Sequence, residues 1–150
     1  MIPDINVRKA EDKDIPRIME IENICFIVPW KEKDVLYELH ENIVSNFWVI
    51  EVDGKIEGFA DYWKTFDSAT IAQIAIDPKR QKQHLGSYLL KEIISDCYAK
   101  KVRNITLEVR IHNVNAINLY KKYGFEQILV KEHYYSNGDD AIYMIRKVEN

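Results

Sequence analysis

A chain of 150 residues is long enough for one domain with a single sizeable core. Apolar residues make up 47% and charged residues 30%, which excludes a disordered tract. The net charge of -3 argues against non-specific nucleic-acid binding, which needs a basic surface, and favours a cationic substrate only weakly, because salt screens exposed charges beyond roughly 8 Å.

INVRKA reads as a first strand, and DKDIPRIMEIENICF as a helix with Ile15, Ile18, Ile21 and Cys25 on one face and Pro16 confined to its first turn. Beyond Pro29-Trp30, KDVLYELHEN predicts a second, shorter helix. FWVIEVDGKIEGFADYWKTF predicts a hairpin turned by Asp53-Gly54, and ATIAQIAIDP an apolar strand stopped at Asp77-Pro78. In KRQKQHLGSYLLKEIISDCYAKK, Leu85, Leu89, Ile93 and Cys97 recur at helical spacing, with Leu90 and Ile94 widening the stripe. RNITLEVR is another strand, NAINLYKKYG a short helix closed by Gly124, and FEQILVKEHYY with DAIYMIRKV a final strand pair. The order predicts an α/β domain with a mixed sheet and strand–helix–strand crossovers around the long helix.

No linker, repeat or low-complexity tract interrupts the chain, so a single domain over 1–150 is expected. Cys25 and Cys97 lack metal-ligand spacing and read as buried free thiols, so no metal is expected. The opening MIPDINVRKAEDKD is unlike a secretion signal, and no window approaches the ~18 apolar residues of a membrane span, which implies a cytoplasmic protein without membrane contact.

RQKQHLGS lies between a strand and a helix, where free backbone N–H groups at the positive helix end suit an anion such as a diphosphate. Alone, with one glycine at Gly86, it also reads as an ordinary basic helix start with exposed Arg80 and Lys82. Together, IAQIAIDPKRQKQHLGSYLL and LEVRIHNVNAINLYKKYGF resemble the GNAT superfamily of acetyl-CoA-dependent N-acetyltransferases, whose diphosphate loop reads Arg/Gln-x-x-Gly-x-Gly/Ala. Gln81 and Gly86 hold the outer positions, while His84 stands where the first glycine is usual. Within the superfamily the chain is most similar to the RimI type, which acetylates the N-terminal alanine of a small-subunit ribosomal protein. CFIVPW (residues 25 to 30) and EHYYSNGDDAIYM (residues 132 to 144) carry that likeness.

The resemblance implies a mostly antiparallel sheet of about seven strands, flanked by about four helices, with a splayed parallel strand pair holding acetyl-CoA. It implies that the backbone of Ile74, Ala75 and Ile76 pairs with the pantetheine arm. Lys82, Gln83, His84, Leu85, Gly86 and Ser87 would wrap the diphosphate, and Asn113 would bond the cofactor. A backbone N–H near Ile76 would meet the acetyl oxygen. Glu108 would be the general base and Tyr120 the general acid toward the departing thiolate. Trp30, Tyr134 and Tyr135 would line the peptide site, with the two tyrosines on opposite strand faces.

Elementary chemistry suits those roles. An α-amine with a pKa near 7.7–8.0 is neutral in about one molecule in eight at pH 7, a lysine in about one in 2,500, so one carboxylate can serve an N-terminus without extreme tuning. A phenol is protonated at neutral pH and can donate one O–H. Other readings stay open from the residues themselves: Glu108 as a carboxylate paired with Arg110 or a lysine, Tyr120 as helix packing, Trp30 as an anchor between helices, and Asp139-Asp140 as a solvated turn. Ser68 and Gln73 depart from related sequences, which often have a carboxylate and Asn there. The expected function is therefore acetylation of a protein N-terminus by a monomer. A small-molecule amine acceptor is the second reading, and a non-catalytic acyl-CoA-binding regulator the third.

Overall fold

The computed structural model describes residues 2–148, without the side chains of Gln81, Lys82 and Gln83. The strands are β1 (Ile5–Lys9), β2 (Ser45–Val52), β3 (Lys55–Thr65), β4 (Ser68–Ile76), β5 (Asn104–Arg110), β6 (Glu126–Lys131) and β7 (Ala141–Lys147). The helices are α1 (Ile15–Cys25), α2 (Glu32–His40), α3 (Leu85–Ala99) and α4 (Val114–Lys122). Short 3-10 turns at Asp12–Asp14 and Pro78–Gln83 precede α1 and α3. The strands hydrogen-bond in the order β1-β2-β3-β4-β5-β7-β6, the mostly antiparallel sheet expected from the GNAT likeness. Its parallel pair is β4 with β5, joined over only Ser68–Thr70 and Asn104–Thr106, while each strand runs on beyond that register. Among the described residues no helix is long and apolar enough to cross a membrane.

The chain divides into two compact units, Met1–Trp63 with Ala72–Ile93, and Lys64–Ile71 with Ile94–Asn150. In the first, Ile18 and Ile21 of α1 and Val35 of α2 pack with Phe47, Val49, Phe59 and Ala75, because the 3.6-residue and two-residue periods each put an apolar stripe on one side. The β2–β3 hairpin turns where expected, at Asp53 (φ 51°) and Gly54 (φ 83°), both left-handed as a two-residue hairpin requires. A pair of buried acids ties α2 to β3. Glu38 accepts from Asn42 Nδ2 (2.8 Å) and from the Trp63 indole, and beside it Asp61 accepts from Ser45 Oγ at 2.7 Å. Burial, and then the neighbouring Glu38, push the Asp61 carboxyl up to about 9.

In the second unit β5 alternates without a fault. Ile105, Leu107 and Val109 are buried, while Thr106, Glu108 and Arg110 face the other side. Helix α4 opens on Asn113, whose Oδ1 caps Ala116 N (3.3 Å), and closes on Gly124 at φ 88°. Strand β6 exposes Ile128, Leu129 and Val130, and its pairing with β7 slips by one residue between Gln127 and Leu129.

Three expectations need correction. The strand expected to reach Tyr135 ends at Lys131, and Tyr134 and Tyr135 lie in the turn that follows. Those rings meet edge to face at 5.0 Å instead of pointing to opposite strand faces, since His133 adopts a left-handed φ of 52° and ends the alternation. Cys97 is buried but Cys25 is only half-buried, and neither forms a disulfide among the described residues.

Candidate active site

The first unit carries the end of β4 and the turn into α3. Ala75 is core, while Ile74 and Ile76 are only partly buried, so the strand is less completely covered than its apolar sequence suggested. Gly58 of β3 lies tight against it. A methyl group built there would sit 2.7 Å from the Ala75 carbonyl oxygen and 2.5 Å from Ile76 Cδ1. The Cys25 thiol donates to the Ile76 carbonyl at 3.4 Å, and burial, with Asp77 and Glu22 nearby, pushes that thiol up to about 11.

A buried ion network sets the entry to the turn. Arg17 bonds the Ile56 carbonyl (2.8 Å), Glu57 (3.0 Å) and Asp77 (2.7 Å), and Asp77 caps the turn by accepting from Lys79 N at 3.0 Å. Hydrogen bonding to Arg17 holds the Asp77 carboxyl below the ordinary range. Arg80, an exposed cation on the plain helix-start reading, is bound to Glu57 with its side chain still 37% exposed. His84 then takes the left-handed conformation (φ 60°, ψ 26°) that a glycine usually supplies, and its carbonyl accepts from Ser87 N and Tyr88 N at 3.1 and 3.3 Å. Leu85 anchors the first turn of α3 in the core, with Gly86 and Ser87 half-buried and His84 exposed. The side chains of Lys82 and Gln83 lie outside the described residues.

The same unit holds Trp30, half-buried against the core. Its backbone N–H donates to Glu22 Oε1 at 2.8 Å, and Gln73 Nε2 of β4 donates to the same oxygen at 2.8 Å. Gln73, noted only as a departure from related sequences, thus joins β4 to the segment between α1 and α2.

The second unit carries Glu108, Tyr120, Asn113, Tyr134 and Tyr135. Glu108 stands opposite Tyr143 across the β5–β7 ladder, and its Oε1 accepts from Lys131 Nζ at 2.7 Å. The Lys131 ammonium also lies over the Tyr134 and Tyr143 rings, 5.2 and 4.8 Å from their centroids, and bonding to Glu108 raises its pKa. Of the two partners considered for Glu108, the lysine is the one found. Arg110 bonds Asn137 (2.9 Å) and Asp139 (2.8 Å) and stacks 3.9 Å over Tyr135. Asp139-Asp140 is therefore a bonded hinge and not a merely solvated turn, with Asp140 accepting from His133 N at 2.9 Å. Tyr120 is buried on α4 beside Phe125, ring centroids 5.8 Å apart, and desolvation raises its hydroxyl pKa beyond the ordinary phenol range. Among the described residues none takes a hydrogen bond from that hydroxyl. Asn113 is the cap of α4, which occupies its carbonyl oxygen.

Chemically, the second unit offers a carboxylate in aromatic surroundings that already accommodate an ammonium, and a phenol held in its protonated form. The first unit offers helix-start amides and strand backbone. Among the described residues no group of three or more His, Cys, Asp or Glu side chains is placed to hold a metal ion. Sequence reasoning missed Lys131, the Arg17–Glu57–Asp77–Arg80 network and the Glu22–Gln73 contact, all of which join residues 20 or more positions apart.

The sequence pattern of the acetyltransferase (GNAT) family matches residues 15–125. A relative from Bacillus subtilis (strain 168) is 38% identical over 139 residues, 92% of each chain. The [ribosomal protein bS18]-alanine N-acetyltransferase of Escherichia coli (strain K12) is 35% identical over 141 residues, 92% of this chain and 94% of its own. A crystal structure of the ribosomal-protein-S18-alanine N-acetyltransferase from Escherichia coli superposes with a TM-score of 0.89 at 31% identity, covering 98% of this chain and 96% of that one. The fold also matches yncA from Salmonella typhimurium, solved with its cofactor acetyl-CoA, at a TM-score of 0.81 and 19% identity over 97% and 95% of the two chains. The chain belongs to the acetyltransferase (GNAT) family and is an N-acetyltransferase.

Proposed function

We propose that this enzyme transfers the acetyl group of acetyl-CoA to the N-terminal amine of a protein, the N-terminal alanine of a small-subunit ribosomal protein. The observation that carries the reading is the 35% identity with an enzyme named for that reaction, sustained over 92% of the chain. The surroundings of Glu108 support it. A primary ammonium, that of Lys131, already sits on its carboxylate and against Tyr134 and Tyr143. A place that accommodates one alkylammonium suits another.

Acetyl-CoA supplies a thioester already activated for acyl transfer. The backbone of Ile74, Ala75 and Ile76 holds the pantetheine arm. The turn of Lys82, Gln83 and His84 with Leu85, Gly86 and Ser87 holds the diphosphate through main-chain N–H groups. That assignment is consistent with Arg80 being committed to Glu57. Asn113 supplies its side-chain N–H groups to the cofactor while its oxygen caps α4. Glu108 accepts the proton of the attacking amine, on Oε2 while Lys131 occupies Oε1. The N–C bond forms, the C–S bond breaks, and Tyr120 protonates the departing sulfur. Trp30, Tyr134 and Tyr135 wall the acceptor peptide. The protein works as a single-domain monomer in the cytoplasm, without direct nucleic-acid contact.

Acetyl transfer to a short Ala-starting peptide, set against the same peptide blocked at its N-terminus, tests the reading. The free peptide is expected to react and the blocked one to stay inert. Equal rates with the blocked peptide, or with free polyamines, would move the acceptor to another class.

A further inference from the structure

Glu22 is fully buried on α1, yet it forms no ion pair among the described residues. Both hydrogen bonds it receives, from Trp30 N and Gln73 Nε2, land on Oε1. Among the described residues its Oε2 is buried without a partner, and so is Gln73 Oε1. Two bare acceptors on two touching side chains would each carry a desolvation penalty of about 1–3 kcal/mol. A single proton removes both. Gln73 donates to Glu22 and leaves its own carbonyl oxygen bare, and only the acid form of a carboxyl group can accept that bond and offer a donor in return. Turning the amide over would set its oxygen 2.8 Å from Glu22 Oε1, a contact that again calls for a proton.

We infer that Glu22 is held as the neutral acid, that its O–H donates to Gln73 Oε1, and that this two-bond clasp makes Glu22 a positioning residue fixing the Trp30 backbone to β4. The net influence on it points the same way. Burial is the largest effect and raises its pKa, the bonds from Trp30 N and Gln73 oppose it, Asp34 of α2 adds a like charge, and Cys25, the nearby thiol on its own helix, is itself pushed up. The clasp therefore ties the backbone of a proposed acceptor wall to the residue preceding Ile74. This functional consequence rests on the N-terminal acetylation reading, whereas the protonation does not.

The test separates the two. Infrared spectra of the whole enzyme at neutral pH, wild type minus Glu22→Gln, are expected to show the carbonyl stretch of a protonated carboxylic acid, shifting in heavy water. Absence of that band overturns the acid form whatever the enzyme acetylates. In kinetics with an Ala-starting peptide, Glu22→Ala should raise KM for the peptide by up to about tenfold, the equivalent of one lost hydrogen bond. Glu22→Gln reproduces the one-donor, one-acceptor face and should restore KM to within about twofold, and it should lose less stability than wild type as pH rises above the ordinary glutamate range. Equal impairment of Glu22→Gln and Glu22→Ala overturns the clasp. Should Glu22→Ala fail to fold, Gln73→Met keeps the volume and removes both bonds. The acid band should then persist but shift, and an unshifted band likewise overturns the clasp.

Discussion

At the proposed catalytic residues, the immediate partners set the limits. Glu108, the proposed base, does not stand alone, because Lys131 holds one of its oxygens at 2.7 Å. Glu108→Gln should cut turnover by roughly 10²–10⁴, the usual range for a lost general base, with acetyl-CoA affinity nearly unchanged by calorimetry. Tyr120→Phe should reduce turnover by a similar factor while costing little stability, as the ring still fills its place beside Phe125; an unchanged rate would remove it from the mechanism. Strand alternation and helical spacing, which are local, placed Glu108 and Tyr120 at their junctions, but only the likeness of LEVRIHNVNAINLYKKYGF to the GNAT pattern suggested roles for them. Lys131 could not be picked out, because the pairing depends on how β6 returns along β7, 23 residues later in the chain.

Most elements were legible where a periodic apolar stripe ran between strong stops. The Asp53-Gly54 hairpin, the Leu85–Leu89–Ile93–Cys97 face of α3 and the Gly124 stop of α4 all stand where the residues put them. The β6 boundary was not legible. EHYY continues a β-like composition, and only the left-handed His133 and the bonds of Asp139 and Asp140 end the strand. A close approach such as that of Gly58 to β4 is also invisible in sequence, since it needs the neighbour's coordinates. Gly58→Ala drives a methyl group into the Ala75 carbonyl and Ile76, so it should destabilise by about 1–3 kcal/mol in denaturant titration. The same displacement should raise KM for acetyl-CoA, because it moves the proposed pantetheine strand. A neutral outcome in both measurements would mean that β4 yields freely.

For the molecule as a whole, buried acids make stability depend on pH. The Asp61 carboxyl is raised in the folded protein and returns to about 3.9 when unfolded. Its stabilising contribution is therefore complete below that value and is lost as pH climbs toward the raised folded pKa. Asp61→Asn keeps a donor for Glu38 and cannot ionise. Thermal melts should show wild type losing ground to this variant steadily from pH 5 to 8, and parallel curves would refute the raised Asp61 pKa. An edge open to other chains lies at β6, one of the two outer strands of the sheet. Three consecutive exposed aliphatic residues on an open sheet edge are an invitation to like chains, and the one-residue slip at Ile128 spoils the straight ladder such recruitment needs. Deleting Ile128 would iron that strand flat. The expected result is light scattering that grows with protein concentration, which would mark the irregularity that looks like a fault in the sheet as a guard on this edge.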